Sequence, residues 1–190
     1  MLVDSASRSA EVSAERPAKE LVRRGAIVVR PLRASDRDEL VRGFEHLSPE
    51  SRHRRFLAFV RHLDAAQLAA LLRVDGHDHV ALVAVNVDDA GVERRGVGVA
   101  RSIRDHDDRE VAEFAIVIAD EWQGRGIGRL LAVQLSAAAF REGIRRWKAT
   151  MLTDNQAIRR LLASCTDPMS LQAQGCGVVE GIYRLRPPAE

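Results

Sequence analysis

The stretch Trp122-Gln123-Gly124-Arg125-Gly126-Ile127-Gly128-Arg129-Leu130-Leu131 joins an apolar run to a helical pattern. Residues 114–119 come just before it and read Phe-Ala-Ile-Val-Ile-Ala, a short run rich in β-branched residues that predicts a buried strand. After it, apolar residues recur at helical spacing from Ile127 to Ala138, and Gly143 follows as a stop signal. We therefore expect a strand, a glycine-rich loop and a helix packed on a sheet.

The loop carries glycine at three alternate positions, Gly124, Gly126 and Gly128. Glycine adopts positive φ readily and has no Cβ to block an approaching group. Backbone N–H groups at the start of a helix, together with the helix dipole, favour an anion. Arg125 and Arg129 would strengthen the binding, so the stretch predicts a phosphate or pyrophosphate site.

Two common phosphate motifs do not fit this loop. A P-loop needs Lys and then Ser or Thr after its last glycine, but Arg129 and Leu130 stand there. A dinucleotide-binding fingerprint needs its third glycine at position 129, and no acidic residue ends a second strand about 20 residues later. Both classes of nucleotide site are excluded.

The spacing Gln123-x-x-Gly126-x-Gly128 resembles the acyl-CoA pyrophosphate loop of the Gcn5-related N-acetyltransferases (GNAT), written Gln/Arg-x-x-Gly-x-Gly/Ala. The match is complete, and the context agrees, with a strand at 147–152 and a helix that opens near Asp154-Asn155. The resemblance covers about residues 26–185. The alternative is a plain tight turn between a strand and a helix.

Composition indicates one globular domain. The chain has 190 residues, of which 46% are hydrophobic and 29% charged, with a net charge of +2. This balance lacks the basic excess of a nucleic-acid binder, so we expect no nucleic-acid partner. We interpret residues 1–24 as a flexible tail without the apolar core of a signal peptide or membrane span, and residues 25–190 as the GNAT domain. Two cysteines without a metal-ligand pattern fit a cytoplasmic location without membrane association.

Helix signals dominate the first third of the chain. A first strand is expected at 26–33, then a helix that starts at Ser35-Asp36 and runs to about Leu47. Ser48-Pro49 predicts the start of a second helix, and a capping box at Asp64 and Gln67 starts a third, at 65–73. The second helix is expected to bury an inner face that consists of Phe56, Phe59, Val60 and Leu63.

The rest of the chain is predicted as mostly strand. We expect strands at 80–87, 95–103 and 109–119, a strand at 146–152, and a final hairpin of 169–173 and 178–185. The fold class is α/β (α+β), with a mixed, mostly antiparallel sheet and helices on both faces. The resemblance implies the same GNAT fold.

The second helix carries a basic face, Arg52-His53-Arg54-Arg55. It is either a solvated surface or a surface that meets the CoA 3′-phosphate or an acidic partner. Residues 47–56 also resemble the Leu-Ser-x-x-Ser-Arg-Tyr-x-Arg-Phe segment of bacterial protein-lysine acetyltransferases, with His53 in place of Tyr. His77-x-His79 lacks the third and fourth ligands that zinc needs, so no metal is expected.

Acetyl transfer from CoA requires a neutral amine, and a lysine amine is mostly protonated at pH 7. A base is therefore needed, and the strand before the loop offers Glu110 and Glu113. Glu113 stands just before the apolar run, where partial burial would raise the pKa of a carboxyl. The resemblance implies Glu113 as the catalytic base, and the alternative is an edge-strand acid without a catalytic role.

No general acid is assigned. Family members often carry Tyr seven or eight residues beyond the Asn that opens the helix, but Leu162 and Ala163 stand there. Tyr183, the single tyrosine, belongs to the last strand. Water, Ser164 or Cys165 remain as candidates.

The resemblance implies acetyl-CoA as co-substrate and assigns its contacts. Asn155 would contact the pantetheine or a water, unless it only caps its helix. The backbone groups of Val117 and Ala119 would meet the pantetheine amides between splayed strands. The loop residues would hold the pyrophosphate: Gln123, Gly124, Arg125, Gly126, Ile127, Gly128 and Arg129.

The sequence therefore predicts an acetyl-CoA-dependent N-acetyltransferase of protein lysines, for which an acyl-CoA synthetase is a candidate acceptor. A small-molecule amine acetyltransferase is the alternative within the same fold. A non-catalytic CoA-binding module is a further alternative, because a pyrophosphate loop ensures binding without ensuring chemistry.

Overall fold

A seven-stranded sheet forms the centre of the computed structural model, which describes residues 27–188. The predicted tail, residues 1–24, lies outside that range. The strands are β1 (Ile27–Pro31), β2 (His79–Val87), β3 (Glu93–Arg104), β4 (Val111–Ile118), β5 (Arg146–Leu152), β6 (Thr166–Gly175) and β7 (Val178–Leu185). Their spatial order is β1-β2-β3-β4-β5-β7-β6, and every neighbouring pair is antiparallel except β4 and β5. The predicted mixed, mostly antiparallel sheet is confirmed.

Helices cover both faces of this sheet. They are α1 (Arg37–Glu45), α2 (Pro49–Phe56), α3 (Ala65–Leu72), α4 (Ile127–Arg141) and α5 (Gln156–Ala163). Because side chains alternate along a strand, β2 divides its residues between two cores. Leu82 and Ala84 join the core with α4 and α5, whereas Val83 and Val85 face the side on which Leu40 of α1 packs.

The central helix α4 follows the predicted pattern. Ile127, Leu131 and Leu135 are buried at intervals of four residues, so one face of the helix lies against the sheet. Gly143 has φ +87° just after the helix, which is the left-handed conformation that ends helices. The strand, loop and helix expected from the sequence are therefore present.

Several boundaries differ from the prediction, and two of these differences have a clear physical reason. Helix α2 ends at Phe56, because Leu57 turns into the left-handed region at φ 54°. Phe59 lies beyond this turn and is 95% exposed, so its predicted place on a buried helix face is wrong. Strand β6 begins at Thr166, earlier than predicted, because β7 pairs with it from there.

The two parallel strands separate soon after they meet. Pairing between β4 and β5 covers only three positions, the last of which joins Glu113 to Lys148. Phe114 stacks on Trp147 below this point, with ring centroids 4.4 Å apart. Beyond Glu113 the β5-facing edge of β4 is unpaired, which opens a gap that leads to the glycine-rich loop. No helix within residues 27–188 has the length and apolar character needed to cross a bilayer.

Candidate active site

A cleft of about 550 Å³ lies where β4 and β5 separate. Its walls come from β4, β5, α2, the glycine-rich loop and the first turns of α4 and α5. Glu113, Asn155 and most of the loop line it, so the fold brings together residues that are far apart in sequence. Of the predicted site residues, only Ala119 and Arg125 are not part of its lining.

The loop has the backbone geometry expected of an anion site at two of its three glycines. Gly124 and Gly126 have φ of +72° and +83°, and no atom lies within 4 Å of a Cβ built on either residue. Gly128 is different, since it is helical and its Cβ would lie 3.7 Å from Leu161. The prediction of positive φ is therefore wrong for Gly128, where the missing side chain leaves room for Leu161 instead.

Helix α4 begins at this loop without a side-chain cap. Gly126 is its N-cap residue, and no side chain bonds to the N–H groups of the first turn. The first backbone bond of the helix joins the Leu130 N–H to the Gly126 carbonyl at 3.1 Å. The N–H groups of Ile127 to Arg129 thus face the cleft, where the helix dipole favours negative charge.

The two loop arginines lie in different places. Arg129 lines the cleft. The guanidinium of Arg125 lies over the Trp122 ring, 4.8 Å from its centroid. Arg129 is therefore the one placed to meet a phosphate in this structure.

The strand register decides which backbone groups face the gap. The Ala119 N–H donates to the Val97 carbonyl at 2.9 Å. Residues along a strand alternate between hydrogen-bonded and free positions with respect to one neighbour, so Val117 also bonds to β3. The predicted exposure of Val117 and Ala119 backbone groups is therefore wrong by one residue, and Ile116 and Ile118 face the gap, where the Ile118 carbonyl accepts a hydrogen bond from the Gln123 side chain.

A hydrogen-bond network ties α2 to the loop. The Ser48 N–H and hydroxyl donate to the Asp120 carboxylate at 2.8 and 2.9 Å, and the Ser51 hydroxyl donates to it at 2.6 Å. The Gln123 side-chain amide donates to Ser51 Oγ at 3.2 Å and to the Ile118 carbonyl at 3.1 Å. The Gln123 side chain, although exposed, therefore holds the loop against β4.

Asp120 is the centre of this network, and the sequence did not single it out. Burial acts to raise the pKa of Asp120, but the hydrogen bonds from Ser51 and Ser48 outweigh it and hold the pKa below 3.8. The carboxylate is therefore ionised at neutral pH, and hydrogen bonds to a charged acceptor are stronger than those to a neutral one. The Ser-x-x-Ser spacing of 48–51 was the available signal, since it places both hydroxyls at the start of one helix.

Glu113 is the last paired residue of β4 before the gap. Its side chain is on the face of the sheet that α2 covers, since Ala112 and Phe114 belong to the opposite core. Glu113 is exposed, so the partial burial predicted from the sequence is wrong. Within residues 27–188 its carboxylate has no hydrogen bond and no ion pair, which leaves it open to accept a proton from a group in the cleft.

The neighbouring acids are engaged elsewhere. Asp108 and Glu110 contact the Arg146 guanidinium at 3.0 and 3.5 Å, and Asp105 contacts Lys148 Nζ at 3.0 Å. Glu110, the other acid considered as a base, is therefore an ion-pair residue at the rim. Glu113 is the better candidate.

Asn155 starts α5 at the far wall of the cleft. Its Oδ1 accepts a hydrogen bond from the Ile158 N–H at 3.2 Å, so the capping role is confirmed. The residue is 9% exposed and lines the cleft. Its Nδ2 donates to none of the described residues, which leaves a donor for a ligand or a water.

Comparison with known proteins agrees with this geometry. The GNAT acetyltransferase domain model matches residues 26–165. The chain belongs to the GNAT acetyltransferase family. It is accordingly an acetyltransferase, and acetyl-CoA is its co-substrate.

Similar proteins include acetyltransferase PA5475 of Pseudomonas aeruginosa, which is 33% identical over 135 residues, 71% of each chain. Acetyltransferase Pat of Mycolicibacterium smegmatis is 34% identical over 134 residues, which make up 70% of this chain and 39% of that protein. Among solved structures, the GNAT domain of S. lividans PAT superimposes with a TM-score of 0.71 at 27% identity, covering 84% of this chain and 90% of that one.

The lining of the cleft includes neither of the side chains suggested as general acids, Ser164 and Cys165, nor Tyr183. The Ser164 hydroxyl donates to the Leu161 carbonyl at 2.6 Å. Cys165 is buried, and burial raises the pKa of its thiol. Tyr183 is buried too, which raises the pKa of its phenol. None of the three lines the cleft.

The basic side of α2 is not simply a solvated face. Arg52 donates to the carbonyls of Glu45 and Arg61 and lies over the Phe44 ring. Arg54 pairs with Glu50 at 2.7 Å and lines the cleft. The solvated-face interpretation is wrong for Arg52, which holds the loop after α2 in place.

The two histidines near β2 serve structural contacts. His77 Nδ1 lies 2.8 Å from a Glu142 carboxylate oxygen. His79 donates through Nδ1 to the Arg73 carbonyl at 2.7 Å. Over the part of the chain that the structure describes, no three potential metal ligands come together.

Proposed function

We propose that this GNAT enzyme transfers the acetyl group of acetyl-CoA to a lysine side chain of another protein, with Glu113 as the base. One observation carries the proposal. The free carboxylate of Glu113 lies in the same cleft as the glycine-rich loop, at the point where β4 and β5 separate. Base-assisted acetyl transfer needs the acceptor amine, the base and the thioester of acetyl-CoA close together, and this cleft has room for all three.

The cleft suggests where each part of CoA would bind. The pyrophosphate fits the backbone N–H groups from Gly124 to Arg129 at the start of α4. The pantetheine would run along the free edge of β4, where the Ile116 backbone groups and the Ile118 N–H are available, while the Ile118 carbonyl already bonds to Gln123. The Nδ2 of Asn155 supplies a donor from the opposite wall.

The chemistry needs only a few groups. Glu113 takes a proton from the lysine ammonium, directly or through water, and the neutral amine attacks the thioester carbonyl. A C–N bond forms, the nitrogen gives its second proton to water, the C–S bond breaks, and a water molecule protonates the CoA thiolate. A free N–H group on the β4 edge can stabilise the oxyanion that forms on the carbonyl oxygen.

A protein acceptor is favoured by two features. The segment 47–56 resembles that of bacterial protein-lysine acetyltransferases, and its serines form the network that positions the loop. In addition, Glu113 is exposed, so a side chain projecting from another protein can reach it. An acyl-CoA synthetase is the first acceptor to test, and a cytoplasmic location follows as part of this proposal.

A small-molecule amine is the second candidate. The acids between β3 and β4 would attract a polyamine or an aminoglycoside. Against this, Asp105, Asp108 and Glu110 already pair with Lys148 or Arg146, which reduces their negative field.

The test incubates the enzyme and acetyl-CoA with a purified acyl-CoA synthetase, and in parallel with polyamines and aminoglycosides. Thiol release measures turnover, and mass spectrometry locates the acetyl group. We expect lysine acetylation of the protein, and its loss with Glu113→Gln. Acetylation confined to small amines would refute the protein acceptor, and CoA binding without thiol release on any amine would indicate a binding module.

A further inference from the structure

A second cavity, of about 250 Å³, lies between the sheet and the helices α1 to α3. It is on the same face of the sheet as Glu113, and Arg55 lines both spaces. The wall is largely apolar and includes Leu32, Leu40, Phe44, Leu71, Val83 and Val99.

Most charged side chains in this wall have a partner of opposite charge. Arg30 contacts both Asp36 and Glu93 at 2.8 Å, and Arg95 contacts Glu121 at 2.7 Å. The same holds for the pairs Arg94–Asp88 and Glu39–Arg42. Within residues 27–188, the exceptions are Arg55 and Arg101.

Arg101 projects from β3 and is only 2% exposed. Its Nη1 donates to the Leu71 carbonyl at 2.9 Å and to His79 Nε2 at 3.2 Å, both neutral acceptors. Burial and the nearby Arg55 lower the pKa of Arg101 to about 9, so it is still a cation at neutral pH. A buried charge without a counter-ion is costly.

Arg55 comes from α2 and approaches the same space. Its guanidinium lies over the Phe56 ring, 4.8 Å from the centroid, and bonds to no described residue. Burial lowers the pKa of Arg55, and attraction to Glu113 partly opposes this effect. Two cations therefore share an apolar cavity without an acid to neutralise them.

We propose that this cavity binds a small carboxylate with an apolar body, held by Arg55 and Arg101. A guanidinium binds a carboxylate with two parallel hydrogen bonds, and both gain strength in an apolar surrounding. A small carboxylic acid also suits this cavity better than inorganic phosphate does, because the hydrocarbon chain of the acid can pack against the apolar wall. Small-molecule sites commonly combine an apolar wall with a few polar anchors.

The bound carboxylate would also influence acetyl transfer, a consequence that rests on the proposed function. Arg55 attracts the negative charge of Glu113. A ligand that neutralises Arg55 would weaken that attraction, so occupancy of the cavity would change the electrostatic surroundings of the proposed base.

Binding is tested by calorimetry with 4-methylpentanoate on the full chain, in the presence of saturating CoA. We expect saturable binding of the carboxylate and at least tenfold weaker binding of the corresponding amide. Arg101→Met and Arg55→Met should each weaken binding at least tenfold. Arg95→Met is the matched control, because Arg95 lines the same cavity but already pairs with Glu121.

Leu40→Phe is the second variant, since it fills the cavity and leaves both cations in place. It should weaken binding at least tenfold, and thermal unfolding verifies that each variant is folded. The proposal is overturned if the acid and the amide bind alike, if CoA displaces the ligand, or if folded Leu40→Phe retains wild-type affinity. These readouts measure binding alone, so they stand apart from any failure to acetylate an acceptor.

Discussion

The side-chain amide of Gln123 lies 3.2 Å from Ser51 Oγ, and this bond joins the glycine-rich loop to α2. Ser51 in turn donates to Asp120, which lies two residues beyond the end of β4. The loop therefore depends on a helix that lies some 70 residues earlier in the sequence, since Ser51 and Asp120 are separated by 69 positions. The segment 47–56 thus supports the loop that we propose as the pyrophosphate site.

Ser51→Ala should weaken acetyl-CoA binding without unfolding the chain. The hydroxyl bonds to both Asp120 and Gln123, and a lost bond of this kind costs about 1 kcal/mol, or roughly fivefold in affinity. Calorimetric titration with acetyl-CoA measures the effect. Ser164→Ala is the control, because that hydroxyl bonds within α5 and away from the cleft. Equal affinity in both variants would show that the network does not support the loop.

Gly126→Val should lower CoA affinity more than tenfold, about 1.4 kcal/mol. At φ +83° a branched side chain is strained, and its Cβ would occupy the open space in front of the loop. Gly91→Val is a matched control, since Gly91 has φ +79°, open surroundings and a place in the turn between β2 and β3. The control separates backbone strain from loss of the site. A folded Gly126→Val variant with wild-type CoA affinity would remove the loop from the site.

The elements that local pattern specifies were predictable from the sequence. The apolar run before Asp120, the spacing of Ile127, Leu131 and Leu135, and Gly143 each carry a local physical signal. The GNAT fold followed from these signals together with the resemblance of the loop. The strand order, the helices on both faces of the sheet and the cleft between β4 and β5 agree with that fold.

Features set by tertiary register were not predictable. The register between β3 and β4 decides whether Val117 or Ile118 directs its backbone groups toward the gap. A shift of one residue would exchange the residues that bond to β3 with those that face the gap. Phe59 looked like a core residue at helical spacing, but the left-handed turn at Leu57 removed it from the helix. The spacing of Ser48 and Ser51 places both hydroxyls at one helix start, but it does not identify Asp120 as their partner, because that residue meets them only in the folded chain.

Acid should loosen the junction between α2 and the loop. The pKa of Asp120 is lowered in the folded state, so its stabilisation is present above the unfolded value of 3.8 and is lost as pH falls through the lower, folded value. Asp120→Asn should cost about 1 kcal/mol at pH 7, and the cost should shrink near pH 3. Urea unfolding at both pH values measures this difference. Asp89→Asn, at an exposed turn position, should cost little at either pH, and an Asp120→Asn cost that is independent of pH would contradict the assignment.

Glu113→Gln should reduce turnover about 10²–10⁴-fold while acetyl-CoA affinity stays near the wild-type value. The amide keeps the shape and the polarity of the side chain but cannot accept a proton. The loss should shrink at high pH, since more of the acceptor amine is then neutral without help from a base. Thiol release between pH 7 and pH 10 measures this profile, and Glu110→Gln is the control because Glu110 already faces Arg146. Normal turnover of Glu113→Gln at pH 7 would place the base elsewhere, whereas a large loss confined to Glu110→Gln would move it three residues along the same chain segment.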